Sequence, residues 1–143
     1  MSRYHLTRKD REISSEGDKE EILRSARYAS IAMQGYDGPY IVTMSHGYDP
    51  GRRSLFFHCA PTGHKLEMIA GEPCVCATVI DDLGYVEGRC EHRYRSLVSR
   101  GRIRVVDDLG LKKHGIEVLM RHQESDPDPV RERNLKTDAD YEN

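Results

Sequence analysis

The chain has no tryptophan and only two phenylalanines among its 143 residues. Large aromatic rings supply much of the area a domain can bury, so a modest monomer core is expected, with further burial against a second subunit. No stretch approaches the roughly 20 apolar residues of a membrane span. The opening segment, MSRYHLTRKDREISSEGDKEE, lacks the apolar run of a secretory leader. A soluble, cytoplasmic protein is the expectation. Neither charge dominates: 22 Lys and Arg stand against 24 Asp and Glu, for a formal net charge of -2. That balance leaves no footprint of a nucleic-acid binder. G-x-G-x-x-G and G-K-S/T are both missing, so a phosphate-bearing cofactor would need another kind of cradle. There is no C-x-x-C pair, no helical H-x-x-x-H and no His-Glu motif, so no metal is expected. Four cysteines, Cys59, Cys74, Cys76 and Cys90, make no disulfide framework by count alone. Cys74 and Cys76 sit two apart on one strand and read as buried, small apolar fillers.

What the chain does contain is a change of period. Residues 1–14 are polar, basic and aperiodic, an N-terminal arm. Ser15 followed by Asp18 is a capping-box pattern that starts a helix with Ile22, Leu23 and Ala26 as its apolar stripe. From Ala29 to Ala60 the period becomes two, giving three antiparallel strands joined at Tyr36-Asp37-Gly38-Pro39 and Tyr48-Asp49-Pro50-Gly51. GHKLEMIAG then reads as a short helix closed by Gly71 and Pro73, and CVCATVID as a buried strand. DLGYVEGRCEH is a glycine-containing excursion, and YRSLVSRGRIRVV a long strand. A helix capped by Asp107 or Asp108 follows, with Leu111, Val118 and Leu119 inward and Gly110 and Gly115 weakening it by about 1 kcal/mol each. The domain spans 15–124, and the acidic, proline-broken segment 125–143 is a peripheral tail.

The stretch FFHCAPTGHKLEMI, residues 56–69, carries the chemistry. His58 and Cys59 end a strand, and His64 and Lys65 open a helix for which Thr62 can serve as N-cap. Free N–H groups at a helix start attract an anion. A lysine there is unfavourable unless an anion compensates it, so Lys65 points to a phosphate. An exposed surface lysine remains the alternative, as do a structural histidine for His58 and a buried thiol for Cys59. On the long strand, alternation puts Tyr94 and Ser96 on one face and Arg93 and Arg95 on the other.

The run GPYIVTMSHGYD, then RSLFFHCAPTGHKLEMIAGEPCVCATVID, then YRSLVSRGRIRVVDD resembles the nitroimidazole-resistance family of flavoproteins. That family belongs to the pyridoxamine 5'-phosphate oxidase-like group of FMN-binding split barrels. The likeness covers roughly residues 20 to 122 in consistent order. It implies a mainly β fold, a six-stranded antiparallel split barrel with short flanking helices, and a homodimer holding FMN at its interface. By the same resemblance Lys65, beside His64, meets the FMN phosphate, and His58 and Cys59 lie beside the flavin, His58 as the catalytic residue. Val42, Thr43, Met44 and Ser45 run along the isoalloxazine edge, and Arg95 and Ser96 approach from the neighbouring subunit. Thr43 stands where such proteins often carry proline. The relatives continue into a last strand beyond the equivalent of TDADYEN, so either the sequence is truncated or another segment closes the barrel.

The expected activity is an FMN-dependent oxidoreductase passing electrons from NAD(P)H or another donor to a small organic acceptor such as a nitroaromatic. A split barrel that binds flavin or haem without turnover is the alternative, and a deazaflavin-using relative a third.

Overall fold

The computed structural model describes residues 6–142. Helix α1, Glu16–Ser25, begins where expected: the Ser15 hydroxyl accepts the Asp18 N–H at 3.4 Å. Three strands follow, β1 (Tyr28–Gly35), β2 (Gly38–Asp49) and β3 (Ser54–Phe57), then α2 (His64–Gly71). Strands β4 (Cys74–Val86) and β5 (Glu91–Arg102) form a long hairpin, so the expected excursion is part of its arms and turn, with a bulge between Asp82 and Tyr85. Helix α3, Leu109–Gln123, is capped by Asp108, whose carboxylate accepts the Leu111 N–H at 2.8 Å. No helix among the described residues is long and apolar enough to cross a membrane.

The sheet is antiparallel in the order β3-β2-β1-β4-β5. Among the described residues the strands number five, not the six expected. Residues beyond α3 form helices instead, α4 (Asp128–Asn134) and α5 (Asp138–Glu142). Proline lacks the N–H a ladder needs but suits a first helical turn, and Pro129 lies in the first turn of α4. Arg131 ties α4 to Glu117 of α3 at 2.6 Å, and Lys113 of α3 meets Asp138 of α5 at 2.5 Å. β3 and β5 therefore remain the two edges of the sheet.

One face of the sheet is the core. Ile31 stands between Val42 and Ala77 in register, Ala29 between Met44 and Val79. Ile22 and Ala26 of α1 pack on Ala29 and Val79, and Met68 and Ile69 of α2 on Ile31 and Met33. Because Val75, Ala77 and Val79 take the inward positions of β4, Cys74 and Cys76 must face the other way. Cys74 is exposed and Cys76 half-buried, which corrects their reading as buried fillers. All four cysteines are free.

Helix α3 crosses β2 and β3 at close range. A Cβ at Gly47 would lie 2.6 Å from the Leu119 backbone, and one at Gly115 would lie 2.6 Å from the Phe56 ring. The helix weakness that glycine brings at position 115 is thus the condition for seating Phe56.

Candidate functional site

A cleft of about 830 Å³ opens between the two sheet edges, floored by core side chains such as Ile31, Met44, Phe57 and Ala77. Edge β3 supplies one wall and residues 99–106, from β5 onward, the other; α2 and α3 complete it. Its size lies in the range of small-molecule sites.

At the end of β3, His58 is exposed and Cys59 half-buried, and both line the cleft. The chain turns through Pro61 and Thr62 into α2. Gly63, not Thr62, is the N-cap of that helix, at φ 140°, a backbone conformation that favours glycine. Its carbonyl takes the N–H groups of Leu66 at 3.0 Å and Glu67 at 3.4 Å. No side chain caps the helix, so the N–H groups ahead of them keep their positive ends for another acceptor. Lys65, half-buried in the first turn, also lines the cleft. An uncapped helix start, a lysine and a roomy apolar floor fit a planar ring system with an anionic tail.

The structure divides the residues anticipated for a cofactor. Met44, His58, Cys59 and Lys65 come together in the cleft. Val42 points inward with Met44 and packs in the apolar cluster. Thr43 and Ser45 face the opposite side of β2, where the Thr43 and Ser30 hydroxyls bond at 2.8 Å. Ser96 shares that outer side, opposite Ile80. His64 turns to the β1–β2 hairpin, 3.8 Å from Asp37 and edge-on to Tyr40 at 5.2 Å. Arg95 is spanned by Asp81 at 2.6 Å and Glu21 at 3.1 Å, and these bonds, Asp81 first, raise its already high pKa. It fastens β4, β5 and α1 together and does not line the cleft of its own chain.

Of the cations of the cleft, sequence reasoning found Lys65 and passed over the rest. Arg52, Arg53, Arg100, Arg104 and Lys112 line it as well, with Arg102, whose guanidinium turns to Cys74 Sγ at 3.6 Å. They come from distant segments, and only the unusual φ of 48° at Arg53 marks any one of them locally. A left-handed conformation at a non-glycine residue is uncommon and invites a functional explanation.

The outer side of the sheet carries Tyr28, Ile41, Ile80, Tyr94 and Val98, each between 45% and 64% exposed. Cross-strand register places them on one continuous face. A face of this kind marks an interaction surface.

Comparison with solved structures finds the same fold repeatedly. A candidate 5-nitroimidazole antibiotic resistance protein from Bacteroides thetaiotaomicron VPI-5482 superimposes with a TM-score of 0.73 at 28% identity, over 92% of this chain and 76% of that one. A FAD-binding protein from Mesorhizobium loti aligns with a TM-score of 0.57 at 24% identity, covering 77% of this chain and 78% of that one. A FAD and haem binding protein from Mycobacterium smegmatis gives 0.69 at 17% identity, over 91% and 63% of the respective chains. No curated protein matches the sequence. The split-barrel architecture is common ground with these structures, and the sequence itself matches the family described as Pyridoxamine 5'-phosphate oxidase over residues 15–142. The chain belongs to the pyridoxamine 5'-phosphate oxidase family.

Proposed function

We propose that the protein is a cytoplasmic, FMN-dependent oxidoreductase that reduces a small organic acceptor, such as a nitroaromatic, with electrons from NAD(P)H or another donor. The observation carrying this reading is Lys65 in the first turn of an uncapped helix, at one end of a cleft that His58 and Cys59 also line. Family membership and the flavin named for two structural neighbours support it. So does the nitroimidazole resistance named for a third.

Bound FMN supplies two-electron transfer; the chain supplies position and charge. Lys65 and the first N–H groups of α2 hold the phosphate, a charge-assisted contact that offsets the unfavourable cation at a helix start. Met44 and Cys59, which line the cleft, would contact the ring system, with Val42 packed behind Met44, and the apolar floor would exclude water. His58, which lines the cleft, would donate a hydrogen bond or a proton to the acceptor. A second copy packs on the outer sheet face over Ile41, Ile80 and Val98, bringing its Ser96 toward the interface where Thr43 and Ser45 stand.

The visible absorption spectrum and solution mass of the purified protein test this. Flavin bands, or stoichiometric uptake of added FMN, with the mass of a dimer are expected. A protein that carries no flavin and takes up none overturns the reading. A Soret band would replace it with haem binding, and bound flavin that no donor reduces would leave binding without turnover.

A further inference from the structure

The four free cysteines are not equivalent. Cys59 follows β3 and Cys90 lies in the turn between β4 and β5, each on a segment with no second thiol. Cys74 and Cys76 share one strand and, two residues apart, project from the same outer side of β4. Cys74 is exposed and Cys76 half-buried. Across the ladder Cys74 stands opposite Arg102, and Cys76 opposite Arg100. The Arg102 guanidinium reaches Cys74 Sγ at 3.6 Å. On the β1 side Cys76 meets Ala32, whose side chain stops at Cβ and leaves the thiol room. Both thiols, both arginines and Gln34 line an open hollow of about 620 Å³ at this outer corner of the sheet. Strand β5 borders the hollow and the cleft alike, but the two thiols line the hollow alone.

Spacing decides what such a pair can do. Alternate residues on one side of a strand stand roughly 6.7 Å apart. A disulfide needs Cβ atoms about 3.5–4.5 Å apart, so the pair cannot close on itself without bending β4. A single bridging ion fits better. At about 2.3 Å per metal–thiolate bond, a linear sulfur–metal–sulfur unit spans about 4.6 Å, within reach of two side chains leaning together. Among the described residues no group of three or more His, Cys, Asp or Glu could hold a metal, so an ion that wants four protein ligands is poorly served. Glu72, the nearest carboxylate in sequence, is already engaged. It accepts the Cys74 N–H at 2.9 Å, a bond that holds its carboxyl below the usual range. Two sulfur ligands and no more select a soft monovalent cation, Cu(I) above all. Two thiolates around one such ion keep a single net negative charge, and the guanidiniums across the ladder offset it. A divalent ion would leave those guanidiniums facing a neutral group.

We propose that Cys74 and Cys76 form a two-coordinate site for Cu(I) on the outer side of the sheet, with Arg102 and Arg100 as counter-charge. Binding exchanges two thiol protons for one ion, which enters as Cu(I), so no electron moves. The site is independent of the flavin reading, because neither thiol lines the cleft.

The test is an anaerobic titration of the reduced full chain with Cu(I), in competition with the coloured chelator bathocuproine disulfonate. One ion per chain should stay bound against an excess of chelator, and X-ray absorption should find sulfur neighbours only. Cys74→Ser, at an exposed position where serine disturbs no packing, should weaken binding by more than about 100-fold, the upper range for losing a mere neighbour of a ligand. Cys76→Ser should do the same, while Cys90→Ser changes nothing. Arg102→Gln should weaken binding about fivefold, the scale of one exposed charge contact. Loss of the ion to an equal concentration of chelator, or unchanged retention in either Cys74→Ser or Cys76→Ser, overturns the proposal. So does half an ion per chain, which would mean that two copies share it. An affinity that rises in Arg102→Gln would show the guanidinium repelling a bound cation, and overturns the anionic complex.

Discussion

Two polar regions of the molecule treat their polar groups in opposite ways. Where α1, β2 and α3 meet, side chains bond to the protein's own backbone across segments distant in sequence. His46 is fully buried and its Nε2–H donates to the Leu23 carbonyl at 3.1 Å. Its ring tilts against His122, centroids 4.6 Å apart. His122 accepts the Tyr48 N–H on Nδ1 and donates from Nε2 to the Ala26 carbonyl at 2.7 Å. Gln123 donates to the carbonyls of His46 and Arg27. The cleft does the reverse: α2 starts uncapped, and Lys65, Arg53 and Arg104 face open volume. Histidine abundance therefore says little about chemistry. Partners for all but His46 Nδ1 make the first region a joint, while acceptor-seeking groups around a void make the second a binding site.

The largest effect should come from breaking the joint. Gly47→Val places side-chain atoms into the Leu119 backbone, which cannot step aside as a side-chain tip could. We expect a loss of about 3 kcal/mol, read as a lower urea midpoint. An unchanged midpoint would mean that α3 does not sit this close to β2. At the cleft, His58→Ala should slow acceptor reduction by about 100-fold, the scale of a lost general acid, with FMN retention kept. A drop in FMN content of the same size would make His58 a binding residue. Lys65→Ala should weaken FMN affinity by about 10- to 30-fold, the worth of a charge-assisted hydrogen bond, and leave the unfolding midpoint in place. If the midpoint falls instead, Lys65 belongs with the joint.

Much of this was legible in the sequence because it is local. Ser15 and Asp108 announce their helices, and alternation alone orders β1 to β3 and separates Ser96 from Arg95. The motif around His58 and Lys65 was visible for the same reason, since fourteen contiguous residues (56–69) hold it. What escaped was whatever depends on remote partners. Cys74 looked like filler until the inward demand of Val75 and Val79 fixed the strand's facing. The pairing of Arg95 with Asp81 and Glu21 had no local signal either, since only the fold brings those carboxylates to it. The sixth strand was implied by resemblance alone and no local pattern marked it; among the described residues the sheet has five strands, and the segment read as a peripheral tail forms α4 and α5. The cationic cleft is the extreme case, assembled from four segments with no shared motif.

The smallest effect concerns the joint's own acid–base state. With Nε2–H committed to a carbonyl, His46 Nδ1 is a bare nitrogen, buried with no hydrogen-bond partner. Burial pushes the His46 pKa down, only partly opposed by the Leu23 carbonyl. Protonation would add a charge beside the His122 ring and a donor at Nδ1 with nothing to receive it. In the unfolded chain the same imidazole takes its proton near the ordinary value of about 6.5. Below that pH the unfolded state binds the extra proton and the native state does not, so stability is intact above the window and falls as pH drops toward the depressed native value. The slope from this one site is at most about 1.4 kcal/mol per pH unit. His46→Phe keeps a ring in the same space and removes the titration. The difference in unfolding free energy between the two proteins should therefore narrow steadily as pH falls from 7.5 to 5.5. A difference that stays constant across that range would mean that His46 is hydrated in solution and that the joint is looser than its burial implies.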